Sequence, residues 1–423
     1  MLRKLDVYLR RDLAGQLIRD EHGQMRFCYA ESWLNNPKAV PLSHSLPLRK
    51  ERFNRNECRG FFAGVLPEQV QREIIAKNLG ISARNDFAML EKIGGECAGA
   101  VVFIPAGESL PERNYGYRQL SDAQLAEILR QLPRRPLMAG EDGVRLSLAG
   151  AQDKIAVHVA TNQISLPLGG APSTHILKPA IERFEGIVFN EAFCMKLARA
   201  IGLHVAKLEV GRVERIDYLL VERYDRTLSK DPRDDSEHLE REHQEDFCQA
   251  LGIVPDNKYQ NEGGPSLKQC FALLRELSSA PVIDLQRLLD AVIFNLLIGN
   301  HDAHGKNFSL LYGRATRLAP FYDVLSTAYY PELSKKMAMK IGSEYASDRV
   351  LPKDFEQLAE EAGLAKPTVK RRVRELAEIA LSKPHDLIKE LPAAKPVAAL
   401  IESRCAKIAD FFKGHKAQKE KPH

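Results

Sequence analysis

A chain of 423 residues that is 44% hydrophobic and 28% charged is long enough for two or three domains and too apolar for extensive disorder. Its formal net charge of +5 is small for that length, so charge alone gives little attraction to nucleic acid. Seven scattered cysteines with no Cys-x-x-Cys pair support neither a zinc site nor a disulfide framework.

In chain order, Met1 to Asp6 has no apolar signal core, and no later apolar run reaches the roughly 18 residues of a membrane span. A cytoplasmic location without membrane contact is expected. Short alternating runs at 6–9, 16–18 and 25–29, separated by Gly15 and Gly23, predict a meander of strands. Pro67 suits the first position of a helix with Val70, Ile74, Ile75 and Leu79 on one face and Gly80 as its stop. A strand over Ala100–Ile104 ends at Pro105, and Ser121 to Gln124 has the pattern of a capping box opening a helix. Strands are expected over 145–148, 154–159, 164–166, 175–178, 208–210 and 218–222, with a helix from about Asn190 to Ala200 stopped by Gly202. The segment Lys230 to Glu242 reads as a charged loop, and the chain beyond it as mainly helical, with a strong apolar helix through Leu285, Leu289, Val292 and Leu296. The basic tail from Lys413 to Lys421 reads as a solvated terminus.

The sharpest chemical signal follows that apolar helix, in Gly299-Asn300-His301-Asp302-Ala303-His304-Gly305-Lys306-Asn307. Phosphoryl transfer needs a carboxylate beside the attacking hydroxyl and an amide oxygen near the metal, and kinase catalytic loops set them five residues apart, as are Asp302 and Asn307. Asp323 follows about twenty residues later, where a kinase keeps its second metal-binding carboxylate. Any one of these aspartates alone would suit a turn or a helix cap. Upstream, Ala149-Gly150-Ala151-Gln152-Asp153-Lys154 lies between strands, where small residues let backbone N–H groups approach phosphate oxygens, although one glycine also suits an ordinary hairpin. Lys178 ends a strand and Glu191 opens the next helix, the places of the phosphate-holding lysine and its ionic partner in a kinase. Taken alone, Lys178 equally suits a solvated strand end.

These segments, with Leu46-Pro47-Leu48, Phe61 to Pro67, Ser173 to Lys178, Asn190-Glu191, Val221 to Arg226, Gln244 to Asp246 and Phe321-Tyr322-Asp323, together resemble HipA-type toxin kinases in the order that family has them. The resemblance implies an α+β, two-lobed protein-kinase-like fold. Residues 1–108 would form an added N-terminal α/β subdomain, 109–226 a kinase N-lobe-like region, and 227–423 a mainly helical C-terminal lobe. It implies ATP and Mg2+ as cofactors and a protein serine as acceptor, on a target such as glutamyl-tRNA synthetase or another aminoacyl-tRNA synthetase. By the same resemblance Asp302 is the catalytic base, Asn307 and Asp323 are metal ligands, and Lys178 holds phosphates. Glu222, Arg223 and Tyr224 form the hinge beside adenine, His304 joins the nucleotide-binding residues, and Ser147 is a self-phosphorylated loop serine. The implied partner is a HipB-like helix-turn-helix antitoxin through which operator DNA is bound. A phosphate on Ser147 would add about −1.5 to −2 charge where ATP places its own phosphates, whereas an unmodified Ser147 suits a strand position bonded to neighbouring backbone.

Two other readings compete. A small-molecule kinase of the aminoglycoside or choline type shares the Asp-to-Asn spacing, but not the N-terminal subdomain or the Ser147 loop. A non-catalytic corepressor of a DNA-binding partner would not need Lys178, Asp302, Asn307 and Asp323 all to be present.

Overall fold

A computed structural model describes residues 2–111, 116–230 and 237–412, and mixes helices and strands along the chain in an α+β arrangement. The basic tail therefore lies outside the described residues. None of the described helices is long and apolar enough to cross a membrane. The chain divides into two compact units, one comprising Met1–Val188, Ala206–Lys258 and Gly305–Pro320, the other Phe189–Val205, Tyr259–His304 and Phe321–His423.

The first unit begins with the expected meander. Strands Arg3–Leu9, Asp12–Arg19 and Met25–Tyr29 pair antiparallel, and Val101–Pro105 joins the free edge of the first. Alternation along Arg3–Leu9 sends Leu5, Val7 and Leu9 inward, where they share a core with Leu17, Phe27, Phe62 and Phe103. A second sheet has six antiparallel strands, in the spatial order Gly116–Gln119, Gln163–Leu168, Ile155–Ala160, His175–Pro179, Ile216–Glu222, Leu208–Val213. A third, of three strands, pairs His243–Asp246 and Thr316–Leu318 with the central Ser309–Tyr312. The second unit is mainly helical. Its apolar Pro281–Ile298 helix starts with proline at its first position and ends at Gly299, with Leu288, Leu289, Ile293 and Leu297 buried.

Several local expectations change. The helix after Pro67 runs Gln69–Asn78, and Pro67 instead bridges to Gly150 while Val70 faces solvent. Arg145 to Leu148 is not a ladder strand; Leu146 makes one parallel bridge to Glu96. The expected loop Lys230–Glu242 is largely a hairpin, Arg226–Lys230 paired with Glu237–Arg241, with 231–236 outside the described residues. Its density of charge masked a strand pattern, and one of those charges, Arg241, finds its partner Glu96 far away in sequence. The Ser121 capping box forms as expected, with the serine side chain accepting from the Gln124 N–H and Gln124 accepting from the Ser121 N–H.

That hairpin feeds a buried ion cluster. Glu96, fully buried, is met by Arg223 at 3.1 Å, Arg226 at 2.8 Å and Arg241 at 2.6 Å, while Asp225 pairs with Arg223 at 2.8 Å and Arg226 at 2.9 Å. The Ser173 N–H and hydroxyl both donate to Glu96, and the Gly99 N–H donates to Asp225. Burial alone would raise the Glu96 carboxyl, but Arg226, Arg241 and Arg223 override it and bring it down to about 2. A depressed carboxyl stabilises the fold fully above its unfolded value near 4.5, and that contribution drains away as pH falls towards 2. Replacing Glu96→Gln leaves Asp225 to pair with Arg223 and Arg226 and takes the Glu96 carboxylate from all three guanidiniums, which should cost about 3–5 kcal/mol at pH 7. Denaturant titrations of both proteins should show that gap constant above pH 5 and shrinking below pH 4; a gap that widens on acidification would contradict the assignment.

Candidate active site

In the second unit, the predicted catalytic residue follows the end of the apolar helix. Gly299 ends that helix in the left-handed conformation at φ 70°, and a Cβ there would lie 2.7 Å from the Cβ of Ala328, so both the turn and the close approach require glycine. The residues after it are pinned one by one. The His301 N–H donates to Thr327 Oγ1 at 2.7 Å and its carbonyl accepts from Ala338. Its ring spans the Ser334 carbonyl and the Ser347 hydroxyl, which places the proton on Nδ1 and the acceptor on Nε2. Burial lowers its pKa, so the ring stays neutral and acts as a strut.

Asp302 emerges exposed from this clamp, its N–H donating to Asn300 Oδ1 and one carboxylate oxygen accepting from the Tyr259 hydroxyl at 2.7 Å. The Tyr259 ring also meets the buried His304 ring edge-on at 5.5 Å, and the His304 N–H donates to the Asp302 carbonyl. Asp323 has φ 59°, a left-handed conformation unusual for an aspartate and typical of strain held at functional positions. What holds it is on both sides: the Phe321 N–H donates to the His204 carbonyl, and Ser326 is gripped through both its main-chain groups by the fully buried Asn190. Asn190 accepts from the Ser326 N–H at 2.9 Å and donates to its carbonyl at 3.0 Å. The buried Glu191 is the next residue of the same helix, Ile187–Ala200, so Glu191 and the Asp323 turn share one support.

The first unit carries the other predicted residues. Lys178 is 7% exposed on strand His175–Pro179, opposite Leu219 of the neighbouring strand. That neighbour leads into residues 222–224, the expected hinge, where the Glu222 N–H donates to the Lys207 carbonyl and the Arg223 N–H to the Thr174 carbonyl. The hinge side chains differ in kind: Glu222 pairs with Lys207 on the exposed face, Arg223 is consumed by the buried ion cluster, and the Tyr224 hydroxyl donates to Gln244.

In the loop 149–154, Gly150 sits at φ 102° and accepts from the Glu68 N–H, Lys154 donates to the Ala149 carbonyl, and Asp153 accepts from Gln71. Ala151 is exposed and Gln152 half-buried. Burial raises the Asp153 carboxyl, partly offset by Gln71 and Lys154. Ser147, at the stem of this loop, is wholly buried, its hydroxyl donating to the Val65 carbonyl at 2.9 Å and its N–H to the Glu96 carbonyl at 2.8 Å.

Asn307 lies in the short turn Gly305–Asn307, anchored by its neighbour. The Lys306 ammonium, 6% exposed, donates to Asp246 at 2.7 Å and to the Gly64 carbonyl at 3.0 Å, with Glu68 at 3.6 Å. Burial opposes its charge, but Asp246 and Glu68 prevail and hold it above the usual lysine range. The amide oxygen of Asn307, in the first unit, and the carboxylate of Asp323, in the second, are each hard oxygen donors of the type Mg2+ takes. Sequence reasoning missed three supports: Asn190, Lys306 and Tyr259. Lys306 stood inside the recognised motif, but a lysine beside glycine gives no sign of burial, and nothing local marks Tyr259.

The chain matches two family models, the HipA N-terminal domain over residues 5–104 and the HipA-like C-terminal domain over residues 146–383. A protein of Sinorhizobium fredii described as putative kinase Y4mE is 47% identical over 382 residues, covering 89% of this chain and 90% of that one. The serine/threonine-protein kinase toxin HipA of Shewanella oneidensis is 31% identical over 332 residues, covering 75% of this chain and 73% of its own length. Among solved structures, a chain of the Shewanella oneidensis complex of HipA, HipB and operator DNA superposes with a TM-score of 0.83 at 26% identity, covering 96% of this chain and 98% of that chain.

The Asn190 clamp yields a test of the support beneath Asp323. Asn190→Ala leaves the Ser326 N–H and carbonyl buried without their partner, which should cost about 2–4 kcal/mol. Urea denaturation should show that loss, and a variant as stable as the parent would show that Asn190 does not carry the turn.

Proposed function

The chain belongs to the HipA family of serine/threonine-protein kinase toxins, and from that premise we propose that it transfers the γ-phosphate of ATP to a serine of a protein target and so arrests growth. Asp302 carries the reading: a carboxylate exposed at the end of a clamped turn, positioned by Tyr259, five residues before Asn307 in sequence as in kinase catalytic loops. In the proposed reaction the acceptor hydroxyl gives its proton to Asp302 while its oxygen bonds to the γ-phosphorus, and the bond from that phosphorus to the bridging oxygen breaks to release ADP. Lys178 holds the α- and β-phosphates with Glu191 as its ionic partner, the loop 149–154 covers the phosphates, and His304 adds to the nucleotide contacts. Main chain at Glu222 to Tyr224 receives adenine. Asn307 and Asp323 hold Mg2+, which when bound offsets negative charge on the phosphate oxygens.

The matched N-terminal domain favours a protein acceptor over a small molecule. An aminoacyl-tRNA synthetase, glutamyl-tRNA synthetase being the family's best-known target, is the substrate class proposed. A HipB-like antitoxin is the proposed partner, supported by the HipA, HipB and operator complex that this chain resembles. The modest net charge of +5 agrees with operator binding that depends mainly on that partner.

Asp302→Asn should leave nucleotide binding nearly intact and remove growth arrest on overexpression, because its part is played in the transfer step. Asp323→Asn should weaken nucleotide binding only when magnesium is present. Calorimetric ATP titrations with and without Mg2+, beside growth curves, check both; persistent arrest with well-expressed Asp302→Asn would overturn the kinase mechanism.

Ser147 is proposed as a self-inhibiting site. Its hydroxyl now faces the Val65 carbonyl in a fully buried position, so modification requires the loop stem to leave, and a phosphate oxygen returning there would face another acceptor. Phosphorylation should therefore hold the loop out and dismantle the Gly150 and Lys154 arrangement. Intact-mass analysis after incubation with ATP and Mg2+ should show one added phosphate on the parent and none on Ser147→Ala, with ATP affinity falling at least about tenfold on modification. Undiminished affinity in fully modified protein would refute self-inhibition.

A further inference from the structure

A cleft in the first unit is used by none of the roles above. Four arginines line it, Arg10, Arg11, Arg145 and Arg241, and no aspartate or glutamate is among the described lining residues. Arg10 and Arg11 form the two-residue turn between strands Arg3–Leu9 and Asp12–Arg19, with Leu9 paired to Asp12. Such a turn selects glycine, asparagine or aspartate, yet Arg10 occupies it at φ 59°. Local propensity is thus overridden to set two guanidiniums at the cleft mouth, the kind of conflict that marks a functional position.

Of the two inner arginines, Arg145 meets carbonyl groups and not a carboxylate. The Arg145 guanidinium, half-buried, donates to the carbonyls of Glu91 and Phe103, both at 2.9 Å. Its nearest acids, Glu108 and Glu91, act only at longer range, and Glu91 is already paired with Arg3. Arg241 pairs with Glu96, but that carboxylate is shared with Arg223 and Arg226. The floor is kept open by glycine: a Cβ on Gly95 would lie 2.8 Å from the Cβ of Arg145. Val102 and Ile104 give the cleft an apolar side.

Planar guanidinium forks match the oxygens of a tetrahedral oxyanion, and in a partly buried cleft such pairs are little screened. We propose that this cleft binds a small phosphate-bearing anion, inorganic phosphate or a phosphomonoester, between Arg10, Arg11, Arg145 and Arg241. The site is separate from the residues assigned to ATP and does not depend on the kinase reading.

The test is calorimetric titration of the full chain with inorganic phosphate and with phenyl phosphate, in chloride at constant ionic strength. Lys178→Met serves as background, so that the proposed nucleotide residues contribute little. Phosphate should bind that protein, and adding Arg10→Gln with Arg11→Gln, both in a surface turn, should weaken it at least about tenfold. Arg145→Gln should abolish binding, and because this residue is half-buried, its thermal midpoint is compared alongside; the surface pair decides if Arg145→Gln unfolds. Tighter binding of phenyl phosphate assigns the site to a phosphomonoester, and tighter binding of inorganic phosphate assigns it to the free ion. No binding by the Lys178→Met protein, or binding undiminished by the paired turn substitutions, would overturn the proposal.

Discussion

Glu96 is the residue on which the first unit closes. It lies within the stretch matched by the HipA N-terminal domain, and its three arginine partners lie more than a hundred residues later, so one carboxylate ties that domain to the hinge and the hairpin after it. Removing charges from water is costly, and the cost is recovered only because each is met by several partners in good geometry. Its main chain works too: the Glu96 N–H donates to the Arg145 carbonyl and its carbonyl accepts from Ser147. The same residue therefore fixes Arg223 at the hinge and the stem of the Ser147 loop. Disturbing either is resisted by a cluster that has no apolar substitute of equal directionality.

In the second unit, precision comes from main-chain clamps. Gly299 holds its turn by backbone conformation and a carbonyl that accepts from the Ala328 N–H, while the His301 ring and the Asn190 amide are spent on main-chain groups of Ser334 and Ser326. The outcome is that Asp302 is exposed yet oriented, and Asp323 is held at a positive φ that a free chain would abandon. Preorganisation of this kind is what phosphoryl transfer asks of a protein, since positioning and charge do most of the work.

Contiguous chemistry was legible in the sequence. The Asp302 to Asn307 spacing, the Ser121 cap and the apolar Pro281–Ile298 helix all depend on neighbours within one short segment. The α+β kinase-like class followed from the order of such segments. Features made by distant partners were not legible. Arg223 read as a hinge side chain because nothing near it reveals Glu96, and the 230–242 region read as a loop because its charge hid a strand whose Arg241 also meets that distant carboxylate. Lys306 was passed over for the same reason: its partners Asp246 and Gly64 are 60 and 242 residues away. Pro67 was misplaced by two residues because proline also suits a bridge before a helix, and its partner Gly150 is remote.

The central claim is that this chain moves phosphate from ATP to a protein serine through Asp302. Incubating the purified chain with γ-labelled ATP, Mg2+ and a desalted lysate, followed by mass spectrometry of the labelled protein, tests it most directly. The account predicts label on a serine of one predominant target with the parent chain and none with Asp302→Asn. Equal labelling by both proteins, or no transfer to any protein by a parent chain that binds ATP, would contradict it.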